Sequence, residues 1–103
     1  MEYIGNIKYD TILYEDRKFV IYGYGFYGKK LYELMQTMGI ENKVVAFCDA
    51  NAENLKNEVY TIVHPKEAVR MENVDFLVIG NYEYDMVQYL ISENISRIHI
   101  LTL

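Results

Sequence analysis

The chain is expected to form a three-layer α/β fold around a five-stranded parallel sheet of order 3-2-1-4-5. Three observations predict it. Short runs rich in β-branched and aromatic residues recur along the sequence, and helical or connecting segments of a dozen residues or more separate them. The second run, Val44-Val45-Ala46-Phe47-Cys48, is apolar throughout. A strand without polar alternation belongs to a sheet covered on both faces, and strands alternating with crossovers are the pattern of βαβ units.

The first strand is Lys18-Phe19-Val20-Ile21-Tyr22, which ends abruptly at Gly23-Tyr24-Gly25. From Tyr27 the apolar positions Leu31, Leu34, Met35 and Met38 follow at helical spacing, and Gly39 supplies a stop. Val44 to Cys48 is the second strand, closed by the polar cluster Asp49 to Asn54. Val59 to Val63 is the third, followed by His64-Pro65-Lys66-Glu67, where Pro65 suits the first position of a short helix. Asp75 to Gly80 is the fourth. The segment from Asn81 to Glu93 is helical by its Val87, Leu90 and Ile91, with Asn81 as cap and Asn94 as left-handed stop. Arg97 to Leu101 is the fifth strand. Residues 1–17 carry apolar side chains without a clean period and form a lead-in, packed on an edge or face with a helical turn near Tyr9 to Glu15; residues 18–103 are the domain proper.

At 103 residues, 51% hydrophobic and 24% charged, the sequence suits one domain with one core. Its charge is −5, with six basic and seven acidic residues in 1–52 against four and eight in 53–103. An acidic chain without a Lys/Arg cluster lacks the cations that neutralise phosphate backbones, so nucleic acid is excluded as a partner. No apolar run suggests membrane insertion, and the first residues do not read as a leader. A single cysteine, Cys48, forms no internal disulfide and has no zinc-type spacing with His64 or His99, so no metal site is expected and a reducing, cytoplasmic setting fits best.

The chemistry concentrates at Gly23-Tyr24-Gly25-Phe26-Tyr27-Gly28, which matches G-x-G-x-x-G between a strand and an amphipathic helix. In that context Gly23 permits the sharp turn, Gly25 lets a phosphate approach the backbone, and Gly28 lets helix and sheet pack closely. Helix amides would face the anion. Asp49 lies 21 residues beyond Gly28, directly after the second strand, near the offset at which an acid accepts from a ribose diol. With Asn51 it completes the predicted cofactor-binding set, Gly23, Tyr24, Gly25, Phe26, Tyr27, Gly28, Asp49 and Asn51. Lys29 and Lys30 add weak attraction for a diphosphate. His64, Asn81 and Tyr82 follow strands at the same sheet edge and are candidate substrate contacts. The bland alternative is a glycine turn kept for packing, with Asp49 a solvated loop acid. Glu83 and Asp85, in the first turn of the later helix, disfavour a second anion site there. Cys48 and His99 read as structural.

The runs VIYGYGFYGKKLYELM, VVAFCDAN, TIVHPKEAV, DFLVIGNYEYDMVQYLI and ISRIHIL resemble the small Rossmann-like module of bacterial sugar-modifying enzymes. These include nucleotide-sugar epimerases and dehydratases of polysaccharide biosynthesis, the N-terminal domain of sugar O-acetyltransferases, and sugar methyltransferases. The resemblance covers about residues 17–101. It implies a nucleotide-binding module for NAD or a nucleotide-sugar, with phosphate contacts at Gly23, Gly25 and Gly28 and a diol contact at Asp49. The chain lacks acetyltransferase repeats, a methyl-donor motif and a Tyr-x-x-x-Lys pair, so no catalytic residue is assigned and catalysis is expected from a partner domain. Two alternatives are a ligand-free assembly domain with a decayed site, its many tyrosines forming a homodimer or partner contact, and a complete small enzyme using His64 or Tyr82 as acid/base.

Overall fold

A computed structural model describes residues 3–6, 13, 15–79 and 84–102. Its elements are β1 (Tyr3–Asn6), β2 (Lys18–Tyr22), α1 (Phe26–Thr37), β3 (Val44–Cys48), α2 (Ala52–Leu55), β4 (Ile62–Val63), α3 (Pro65–Ala68), β5 (Val74–Ile79), α4 (Tyr84–Ser92) and β6 (Ile98–Thr102). A 3-10 turn at Glu41–Lys43 leads into β3. The strands form one parallel sheet of order β4-β3-β2-β5-β6-β1.

The five predicted strands are therefore β2 to β6 in the predicted order 3-2-1-4-5. The lead-in contributes a sixth, Tyr3–Asn6, which extends the β6 edge in parallel. The helical turn predicted near Tyr9 to Glu15 falls largely outside the described residues. Leu13 is wholly buried, and Lys43 Nζ donates to the carbonyls of Leu13 at 3.0 Å and Glu15 at 2.7 Å.

Period-2 alternation in the strands divides the core into two layers. Phe19, Ile21, Phe47, Leu77 and Leu101 face α1 through Leu31 and Met35; Val20, Ala46, Phe76, Val78 and Ile98 face α3 and α4 through Ala68, Val87 and Leu90. Every residue of β5 is buried, which explains its unbroken apolar run apart from Asp75.

The third predicted strand is shorter than its apolar run. Only Ile62 and Val63 pair with β3, through Phe47 and Cys48. The Asn57 side chain accepts hydrogen bonds from the Val59 and Tyr60 amides, both at 2.9 Å, and this turn carries Val59 out into solvent. On β3 the register with β2 slips so that Val44 pairs Phe19 and Ala46 pairs Val20, leaving Val45 as a bulged, exposed residue. Gly39 and Asn94 end their helices at φ +74° and +61°, as their sequence positions predict.

Candidate functional site

In this order the chain reverses direction across the sheet between β2 and β5, the point at which open parallel sheets bind ligands beyond the strand ends. The glycine loop leaves β2 there. Each of its glycines is explained differently. Gly23 has φ +107°, a left-handed conformation that disfavours side chains, and its amide continues the ladder to the Cys48 carbonyl at 2.6 Å. At Gly28 a Cβ would overlap the Gly23 carbonyl, so only glycine lets α1 lie this close to the end of β2. Gly25 caps α1 with extended backbone, φ −109° and ψ −158°, which any residue adopts, and no described atom lies within 4 Å of where its Cβ would be.

The α1 terminus is electrostatically positive. No side chain caps it, its first turn holds no acid, and its dipole points at the loop. The α4 terminus differs, with Asp85 in its first turn, as the sequence predicts. Met86 from that turn reaches the loop, with its Cε 3.6 Å from the Cβ position of Gly23.

Asp49 faces the loop. Its Oδ2 accepts from the Tyr24 amide at 2.9 Å and its Oδ1 from the Asn51 amide at 2.9 Å. The Asp49 carbonyl accepts from Ala52 N, and Asn54 Nδ2 donates to Asn51 Oδ1 at 2.7 Å, so the start of α2 is tied to the same carboxylate. The Tyr24 ring turns aside. It packs edge-on against Phe47 with centroids 4.9 Å apart, beside Tyr60, and Lys29 Nζ lies 4.6 Å from its centroid. Phe26 is 63% exposed with Lys30 over its ring, and Tyr27 packs beside it. The bulky side chains of the loop are thus carried away from its backbone, Tyr24 onto the sheet and Phe26 into solvent.

The predicted set Gly23, Tyr24, Gly25, Phe26, Tyr27, Gly28, Asp49 and Asn51 is accordingly gathered at the carboxyl ends of β2 and β3. His64 is two strands away, beyond β4, where its Nδ1 accepts from Lys66 N at 3.1 Å and caps α3. Asn81 and Tyr82 lie outside the described residues. Cys48 is buried beneath the loop; burial, and then the Asp49 charge, push its thiol up, so it stays protonated and unreactive. Among the described residues no group of three His, Cys, Asp or Glu could hold a metal ion, and no helix is long and apolar enough to cross a membrane.

Sequence reasoning missed a buried polar cluster at the opposite end of the sheet. Asp75 Oδ2, on β5, meets His99 Nε2 at 2.8 Å and Arg17 at 2.7 Å, with Arg97 3.8 Å from Oδ1. His99 is wholly buried, and its Nδ1 has no partner among the described residues. The available signal was one carboxylate inside the apolar run DFLVIG, which calls for a cation or donor on a neighbouring strand.

Comparison of the chain with family models, curated proteins and solved structures finds no match.

Proposed function

We propose that the domain is a nucleotide-binding module that holds the diphosphate of NAD or of a nucleotide-sugar over the start of α1. The observation that carries this reading is Gly25. Gly23 is accounted for by its backbone angle and Gly28 by the close approach of α1, but at position 25 glycine is one of several residues that suit a helix cap, and neither backbone angle nor packing within the described chain requires it. A phosphate drawn to the backbone does call for one, because a side chain there would stand in its path. The uncapped, acid-free helix start supplies the positive field, and Lys29 and Lys30 lie in the next turn. Among the described residues no acid/base pair is assembled at the loop, which supports a module serving chemistry carried by a partner; the sequence resemblance suggests a sugar-modifying enzyme.

Gly25→Val provides the test. The substitution meets no described atom in an allowed backbone conformation, so its cost is that of a poorer N-cap, about 1 kcal/mol, and the variant should fold. Titration calorimetry should register binding of NAD or a UDP-sugar to the native chain, and binding to the variant should weaken at least about tenfold, the equivalent of about 1.4 kcal/mol. Absence of both heat and thermal shift at millimolar ligand, or equal binding by the variant, would overturn the proposal.

A further inference from the structure

The offset from Gly28 predicts Asp49 as the acceptor for a ribose diol, but its contacts give it a different task. The loop it faces contains two glycines in three residues, and glycine backbone loses the most conformational freedom on ordering. Ladder pairing between β2 and β3 ends where Gly23 N–H meets the Cys48 carbonyl. The next tie is made by a side chain, Asp49 Oδ2 accepting the Tyr24 amide between the two glycines. The other oxygen takes the Asn51 amide and so anchors the carboxylate to the turn that starts α2. Both oxygens are thus engaged by fixed backbone donors, in charge-assisted bonds that disperse their negative charge. Each keeps one further lone pair, but a diol arriving there gains less than it would from an unengaged carboxylate.

From this geometry we infer that Asp49 is a positioning residue: it locks the glycine loop in the shape that receives the diphosphate, and the site selects its ligand by that diphosphate with little regard to the ribose diol. The inference rests on the phosphate-site reading of the loop. The clamp itself can be observed without any ligand.

The test compares ADP, 2′,3′-dideoxy-ADP and inorganic pyrophosphate on the native chain and on Asp49→Asn, together with amide hydrogen exchange at Tyr24. In the variant an NH2 group replaces one carboxylate oxygen and confronts a backbone N–H, so one clamp bond is lost. The expected result is that the native chain binds the two nucleotides within about threefold of each other, and that the variant binds all three probes about tenfold more weakly, the loss of roughly one such bond. Tyr24 exchange should accelerate in the variant while exchange in β5 does not. A preference of tenfold or more for ADP over its dideoxy analogue overturns the inference, whatever happens at Tyr24. Should none of the probes bind the native chain, the phosphate-site reading fails separately; faster Tyr24 exchange in the variant then upholds the clamp and unchanged exchange overturns it. If the variant does not fold, the native chain decides, since the inference requires both the absent diol preference and a Tyr24 amide that exchanges more slowly than an unstructured one.

Discussion

The two ends of the sheet each carry an aspartate, and they use it in opposite ways. At the carboxyl end Asp49 accepts backbone amides, from Tyr24 and Asn51, and lies beside the glycine loop, whose Tyr24 and Phe26 side chains turn away. At the amino end Asp75 is 5% exposed and meets side-chain donors from the lead-in and from β6, Arg17 and His99, with Arg97 nearby. A carboxylate satisfied by backbone can shape a loop and still leave the adjoining helix terminus free to attract an anion. One enclosed by cations and an imidazole has its charge cancelled internally and offers nothing to a ligand. The comparison favours the carboxyl end for the proposed ligand site and gives the amino end a part in structural closure.

The largest effect that would break this contrast is expected from Gly28→Ala. The added methyl overlaps the Gly23 carbonyl, so α1 must shift outward or the loop must open. Backbone is the obstacle and cannot rotate aside as a side chain would. The loss should be about 3 kcal/mol in denaturant unfolding, at the upper end of overpacking costs, with nucleotide binding lost as well. A variant as stable as the native chain would show that α1 does not lie this close to β2.

Asp75→Ala probes the other end and should separate stability from binding. Arg17 is partly exposed and recovers water when the carboxylate is removed, whereas buried His99 is left with neither ring nitrogen partnered among the described residues. Stranding such a group costs about 2 kcal/mol, and Asp75→Asn, which keeps an acceptor oxygen for His99, should lose less. Both variants should bind ADP like the native chain once folded. A binding defect equal to that of Gly28→Ala would mean that the two ends act as one unit.

How much of this was legible in the sequence follows from the range of the interactions involved. The strand order, the α1 stripe and the glycine loop are set by local pattern, and each is found where periodicity places it. The lead-in was harder to read because Tyr3–Asn6 becomes a strand only by pairing with β6, nearly one hundred residues later. Val59 and Tyr60 belong to a β-branched and aromatic run, yet the side chain of Asn57 takes their amides and bends them out of the sheet. Asp49 shows the same limit at the site. Its distance from Gly28 could be counted, and its bond to the Asn51 amide is local, but the Tyr24 amide that its other oxygen accepts is set by how the ends of β2 and β3 meet. The partnership of Asp75 with Arg17 and His99 joins residues 58 and 24 positions apart, beyond any spacing rule.

The smallest effect concerns pH and the floor beneath the glycine loop. Cys48 ends β3 fully buried, and its thiol is pushed up by burial first and by the Asp49 charge second. The unfolded chain carries an ordinary thiol of pKa about 8.5, so the folded state retains a proton that the unfolded state releases above that pH. Stability from this group is complete below pH 8.5 and declines as pH rises further, by up to about 1.4 kcal/mol per pH unit for one proton. Tyr32 and Tyr89, also raised chiefly by burial, act in the same direction from about pH 10. The Cys48 contribution is isolated by comparing the native chain with Cys48→Ala between pH 8 and 10: the variant starts less stable because it leaves a small void, but its alkaline slope should be shallower. Thiol reagents should label Cys48 at the rate of opening of the β2–β3 end, in step with Tyr24 amide exchange. Rapid labelling of the native chain, or parallel slopes for the two proteins, would show that water reaches the strand ends below the loop, and the carboxyl end would then be open in its floor as well as at its mouth.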